Sequence, residues 1–316
     1  QCQVHPLLLY IPLSFLCITR GKHVIITTCG NSEKIAQRMA KKLNARYSPL
    51  TLKSFPDGDL YLRYNTSLKG QTVVLVQSFQ PHPDMSLFDV LFAAETAKDL
   101  GAKKVILAAP YIAFMRQDKR FHPGEAISSR IMAKLLNRSI DKLITIDTHL
   151  HRYHSLKDIF RIPAVNLTAD SLIARYIKRH WSNAVIIGPA WESYQWAEDI
   201  AKQVGAEVTV LQKTRFSSRH VAVKVIKPVS LERKDVIIVD DIISTGHTVA
   251  EAAKQAKKAG AKSITAIGVH GLFVENAMEK LKKAGVTKIV TTNCIKHNTN
   301  KIDITSLLVE ELHKEK

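Results

Sequence analysis

The chain has 316 residues, with 46 Lys and Arg against 28 Asp and Glu for a formal net charge of +18, and 46% of its residues are hydrophobic. That composition excludes a disordered or fibrous protein, and the length suits two domains of ordinary size. The positive surplus attracts any polyanion, but Lys and Arg are spread along the chain with acids between them. This distribution favours phosphate-handling sites over a single-sign nucleic-acid-binding tail.

In chain order, residues 7–18 (LLLYIPLSFLCI) form an apolar run shorter than the ~18–20 residues that cross a bilayer, with no basic lead-in and no A-x-A cleavage site after it. Residues 1–20 therefore read as an extension, with a membrane-directing segment as the competing reading. Cys2, Cys17, Cys29 and Cys294 have neither disulfide-framework nor CxxC spacing, so a reducing cytoplasm is expected.

From residue 22 onward, short β-branched runs alternate with amphipathic stretches. VIITT (24–28), TVVLVQ (72–77) and KVILAAP (104–110) are each followed by a helical pattern, and so are AVIIG (184–188) and DVIIVDD (235–241), with SITAIGV (263–269) repeating the strand pattern. Continuous apolar strands separated by helices predict an α/β fold with parallel sheets covered on both faces. Glycines 101, 205, 260 and 285 mark helix ends. The halves also resemble each other: Val24 aligns with Val185 at an offset of 161, Gln77 with Asp240 at 163, and Gly101 with Gly260 at 159. Three nearly constant offsets indicate a duplication. The copies differ where copy one ends its strand in Gln77-Ser78 and copy two in Asp240-Asp241. Four segments are expected: 1–20, a first domain 21–163, a second 164–302, and a terminal helix 303–316 that is free to cap either half, with the first domain as the expected one.

The strongest local pattern is VIIVDDIISTGHTVAEAAKQAKKAG (236–260). A buried strand delivers Asp240 and Asp241, and Ser244, Thr245, Gly246, His247 and Thr248 then lead into a helix beginning near Thr248. Gly246 permits close approach of an anion, hydroxyls and successive N–H groups surround a phosphate, and the helix N-terminus adds its positive dipole. Carboxylates repel phosphate and accept hydrogen bonds from hydroxyls, so the ligand carries both groups, as a sugar phosphate does.

This block resembles the phosphoribosyl-binding motif of the type I phosphoribosyltransferases, and the duplication resembles the ribose-phosphate pyrophosphokinase family. The resemblance runs over nearly the whole chain from residue 22 and implies two similar phosphoribosyltransferase-like domains, each a mostly parallel sheet flanked by helices, the first degenerate. It implies transfer of the pyrophosphoryl group of ATP to the 1-hydroxyl of ribose 5-phosphate, with AMP released. SFPDGDLYLRY (54–64) is similar to the segment that surrounds adenine, often in a neighbouring subunit, which assigns Phe55, Asp57 and Asp59; Asp59 stands where Glu is more common. PYIAFMRQDKRFHPGEAIS (110–128) resembles the PYxxxxRQD signature and assigns Arg116, Gln117 and Asp118 to ATP, with Lys119 and Arg120 adding charge. In LITIDTHLHRYH (143–154), His149 is implied as a ligand of magnesium, with Asp147 at the same strand end. Zinc competes because His122, His151 and His154 lie nearby, but no Cys joins them, and magnesium with phosphate oxygens suits the reaction better. Lys213 and Arg215 in LQKTRFSSRHVAV (211–223) match the family's catalytic loop, where cations stabilise the transferring group.

GPAWESYQWA (188–197) departs from the pattern, because Ala190 stands where an Asp usually serves a second magnesium. Either Glu192 rebuilds that site or activity is impaired, which leaves a catalytically weak regulatory homologue as the alternative. A nucleic-acid-binding protein is the alternative from another class, and no recognition helix, zinc knuckle or aromatic RNA-binding motif supports it. The expected partners are thus ATP, ribose 5-phosphate and further copies of the chain, with neither nucleic acid nor membrane. Lys254, Lys257 and Lys258, on one helix, have no task beyond solubility and attraction of anions.

Overall fold

The computed structural model describes residues 23–150, 152–189, 193–215, 221–225 and 229–314, with the backbone alone at 194, 210–215 and 221–225. Residues 1–20, His151, Ala190 and Glu192 lie outside the described residues.

The first half comprises β1 (Val24–Thr27), α1 (Glu33–Leu43), β2 (Arg46–Tyr47), β3 (Thr51–Ser54), β4 (Leu60–Arg63), β5 (Thr72–Val76), α2 (Pro83–Asp99), β6 (Lys104–Ala109), α3 (Ser128–Ser139), β7 (Lys142–Ile146) and β8 (Ala164–Leu167). Six of these strands form a parallel sheet in the order β2-β1-β5-β6-β7-β8, and β3 and β4 form a separate antiparallel hairpin. The second half comprises α4 (Asp170–His180), β9 (Ala184–Gly188), α5 (Tyr194–Val204), β10 (Glu207–Arg215), β11 (Val221–Val225), β12 (Asp235–Ile243), α6 (His247–Lys258), β13 (Ser263–Gly271), α7 (Ala277–Lys283), β14 (Lys288–Thr292), β15 (Asn300–Ile302) and α8 (Thr305–His313). Its sheet runs β11-β10-β9-β12-β13-β14-β15, parallel except for β11.

Successive side chains of a strand point to opposite faces, so each apolar strand feeds two cores. Ile25, Val73, Leu75 and Leu107 face a core built from the first half with Ile295 of the second inserted, and Val185, Ile187, Val236 and Ile238 face one of the second half alone. The alternate residues, among them Ile26, Val74, Ile106, Ile186, Ile237 and Ile267, join a single core that both sheets share. Two helices cross between the sheets. Helix α4 continues directly from β8 of the first sheet but packs on α5 beside the second, and α8 follows β15 of the second sheet but packs on α1 beside the first. Buried Lys142 on β7 holds Glu311 on α8 at 2.8 Å, and Arg38 on α1 holds Asp303 at the same distance. The carboxyl ends of the strands also meet directly, because His270 at the end of β13 reaches the carbonyl of Ile146 at the end of β7, 3.0 Å away. The four glycines expected at helix ends all carry positive φ. No helix among the described residues is long and apolar enough to cross a membrane.

Candidate active site

In α/β sheets, ligands collect at the carboxyl ends of strands. Strand β12 pairs with β9 only as far as Ile238, where β9 is about to end, and continues against β13 to Ile243. Asp240 and Asp241 therefore stand on the side that β9 has vacated, three and two residues short of the strand's end. The backbone reverses at Gly246, whose φ of +69° is the left-handed conformation that favours glycine; a Cβ there would meet Ala277 Cβ and Leu281 Cγ at 3.3 Å. Helix α6 follows at once, beginning at His247, one residue earlier than the sequence pattern indicates, and no side chain caps its first turn. Lys280 on α7 donates to the Thr245 carbonyl at 2.9 Å and steadies the loop from behind.

The first half contributes the opposite wall. After β7 the chain turns sharply at Asp147, at φ +38°. The turn is held by the Ala169 amide, which donates to Asp147 Oδ2 at 2.8 Å, and by the Thr148 amide, which donates to Asn166 Oδ1 at 2.9 Å. It projects His149 across the domain boundary, where Nδ1 lies 2.9 Å from Asp241 Oδ2. The resulting cleft of 580 Å³ is lined by Arg116, Asp147, His149, Asp240, Asp241 and Thr248, together with Thr148, Asn166, Ser193 and Trp196.

Its charges are unevenly distributed. Burial, then repulsion from Asp241, raises Asp240 well above the usual carboxylate range, with Arg116 pulling the other way. Burial also acts to raise Asp241, but the hydrogen bond and charge of His149 overcome it, and Asp241 is held below the ordinary value. The two neighbours are thus shifted in opposite directions, Asp240 upward and Asp241 downward. Burial lifts Asp147 to about 7 and pushes His270, beneath the cleft, down to about 4.

The other sequence-derived residues are placed differently. Asp118 is buried and its carboxylate is held by Arg152 Nη1 at 2.8 Å, so it anchors the 110–128 loop while Arg116 alone of its motif lines the cleft. Gln117 turns into the same loop, near Glu125 Oε2 and the Ala126 carbonyl. Phe55, Asp57 and Asp59 sit at the exposed turn between β3 and β4, with the Phe55 ring edge-on to Tyr61, and none of the three lines the cleft. Lys213 and Arg215 lie near the end of β10, in register with Val223 and Val221 of β11. Sequence reasoning missed Asn166, Ser193 and Trp196. Ser193 had a signal, because the offset of 161 makes it the counterpart of Ser32 at the same strand-to-helix turn.

Among the described residues no three His, Cys, Asp or Glu are grouped to hold a metal. Zinc draws three or four ligands from protein, and His151, one of its candidate ligands, lies outside the described residues. Magnesium takes most of its oxygens from water and substrate phosphates, and it fits the pair of His149 and Asp241.

Fold and cleft together define a duplicated phosphoribosyltransferase-like protein in which both copies wall one site. Residues 24–139 match the N-terminal domain of ribose phosphate pyrophosphokinase, and residues 155–306 match the phosphoribosyl transferase domain. The chain belongs to the ribose-phosphate pyrophosphokinase family. It is 36% identical to the ribose-phosphate pyrophosphokinase of Methanothermobacter thermautotrophicus over 90% of this chain and 99% of that one. It is 35% identical to that of Sulfolobus acidocaldarius, over 85% and 92%. The fold superimposes on phosphoribosylpyrophosphate synthetase from Mycobacterium smegmatis with a TM-score of 0.82 at 24% identity, covering 93% of this chain and 99% of that one.

Proposed function

We propose that this chain transfers the β,γ-pyrophosphoryl group of ATP to the 1-hydroxyl of ribose 5-phosphate, releasing AMP, with magnesium as cofactor. The observation that carries the reading is the 2.9 Å contact between His149, from the half assigned to ATP, and Asp241, from the half assigned to the sugar phosphate. One cleft brings both substrates' ligands together. The 5-phosphate sits on the 244–248 loop, where the uncapped first turn of α6 and the hydroxyls of Ser244, Thr245 and Thr248 supply donors. Asp240 and Asp241 address the ring hydroxyls. Arg116 meets the triphosphate from the facing wall.

The 1-hydroxyl oxygen bonds to the β-phosphorus, the bond from that phosphorus to the α,β-bridging oxygen breaks, and AMP leaves with the electron pair while the hydroxyl proton passes to solvent. Such a step depends on alignment and on cations that meet the developing charge, and Lys213 and Arg215, two residues apart on β10, are assigned to it. His149, with Asp241 beside it, would hold a magnesium ion, whose charge would neutralise the triphosphate oxygens. Phe55, Asp57 and Asp59, exposed away from the cleft, serve the adenine of a second copy. Self-association is further supported by an apolar face on α2 and α3, where Met85, Phe88 and Ile131 stand 62%, 61% and 54% exposed.

The test is AMP formation from ATP and ribose 5-phosphate. Turnover is expected with magnesium and none in excess chelator, and Lys213→Ala is expected to lower kcat by about 10³-fold or more. A folded, assembled sample that makes no AMP would reject the reading. Ala190 favours the second reading, a catalytically weak homologue, and Ala190→Asp separates the two: a large gain in turnover identifies the native loop as impaired, and no gain identifies a site built without that carboxylate. Phe88→Glu is expected to split the assembly in size-exclusion chromatography and to abolish turnover with it.

A further inference from the structure

The duplication leaves a second cleft. It lies between the strand end of β1 and the start of α1 in the first half and the strand ends of β14 and β15 in the second, has a volume of 740 Å³, and includes Gly30, Asn31 and Ser32 in its lining. The offset of 161 equates Ser32 with Ser193, which lines the catalytic cleft. The opposite wall repeats as well. The Asp147 amide donates to the Leu167 carbonyl at 2.8 Å and the Asn293 amide to the Ile302 carbonyl at 2.9 Å, while Asp147 Oδ2 accepts from the Ala169 amide and Asn293 Oδ1 from the Ile304 amide. The two clefts are related by the internal pseudo-symmetry of the molecule.

Their chemistry has diverged. Gln77 and Ser78 occupy the positions of Asp240 and Asp241, Asn293 that of Asp147, and Ile295 that of His149, so every candidate metal donor of the catalytic cleft is replaced by a neutral side chain. The second cleft has gained cations instead. Lys34, Lys296 and Lys301 line it, and among the described residues none of the three makes an ion pair. Of its two carboxylates, Asp303 is consumed by Arg38, Asn293 and Thr305, and Glu33 receives Gln37 Nε2 at 3.1 Å. The Ser32 hydroxyl accepts from the Ser78 amide and does not cap α1, so the first turn of that helix faces the cleft with its amides unmet by side chains. A roomy cleft with three unpaired lysines, and with neutral side chains where the catalytic cleft has its candidate metal donors, is built for an anion that arrives without a divalent cation.

We infer that this second cleft is a metal-independent binding site for a small phosphate-bearing anion, separate from the catalytic cleft. The probe is inorganic pyrophosphate, titrated calorimetrically into the whole chain in EDTA. Binding is expected to persist without metal and to weaken tenfold or more in Lys296→Ala/Lys301→Ala, whose turnover with magnesium, ATP and ribose 5-phosphate stays within twofold of the parent. Lys34→Ala, on a separate element, is expected to weaken it threefold or more even if the paired substitution disturbs the β14–β15 loop. Binding that requires magnesium, that ignores all three lysines, or that is lost on Lys213→Ala would overturn the inference. Failure of AMP formation leaves it standing, because pyrophosphate binding in EDTA is read without catalysis.

Discussion

At the residue scale the catalytic cleft depends on a few positions with no tolerated alternative. Gly246 combines a left-handed backbone with a Cβ position already 3.3 Å from two side chains, so Gly246→Ala meets strain and crowding together. A non-glycine residue held in that conformation costs about 1–3 kcal/mol, and the loop's shift is expected to raise the KM for ribose 5-phosphate more than it lowers kcat; thermal melts and steady-state kinetics read the two effects. Asp241→Asn should behave in the opposite manner. The shape is kept and stability changes little, but His149 loses the charge that orients it, and turnover is expected to fall by about 10–100-fold. A drop in melting temperature comparable to that of Gly246→Ala would show that Asp241 is structural. Asp240, Asp241 and His149 were legible in the sequence because their neighbours form recognisable patterns. Asp118 belongs to such a pattern and yet turns inward to Arg152, since a motif specifies residues along a loop and not which way each one faces. Trp196 and Asn166 belong to no pattern, and only the folded geometry brings them to the cleft.

At the scale of elements, the central strands were legible as continuous apolar runs, whereas β2 (Arg46–Tyr47) and β15 (Asn300–Ile302) were not, being two or three residues long and partly polar. The partners of α4 and α8 were equally hidden. Amphipathic spacing shows that a helix face is buried, but not which of two similar sheets receives it. The device that seats α8 is the pair Lys142 and Glu311, whose side chains are each only 8% exposed. A buried pair adds little net stability but is costly to break. Lys142→Met removes the buried one of two cations on Glu311, leaving the exposed Lys314 at 3.0 Å, and is expected to cost up to roughly 3–5 kcal/mol, whereas Lys142→Met with Glu311→Leu should recover most of that loss. Urea unfolding of both variants decides the point, and a double variant no better than the single would mean that the pair has a role beyond mutual charge compensation.

At the scale of the whole molecule the exchange of helices makes two domains into one folding unit. Each sheet has a core mostly its own, but the third core draws from both, and α8, the last element, closes it with Leu308, and with Ile304 just ahead of the helix, against α1 of the first half. Separating the halves would expose that shared apolar face on each. The chain is therefore expected to unfold in one transition. Tryptophans 181, 191 and 196 all lie in the second half, so their fluorescence follows that half, while far-UV circular dichroism follows both. The two denaturation curves should coincide, with one midpoint and one slope. A chain ended after residue 303 tests the same claim from the other side. It keeps every strand of both sheets but loses Leu308 and Val309 from the shared core and the Glu311 partner of Lys142, so both probes should shift together to lower denaturant. A shift confined to the circular dichroism signal, with fluorescence unmoved, would show that the halves are independent domains and that the shared core does not couple them.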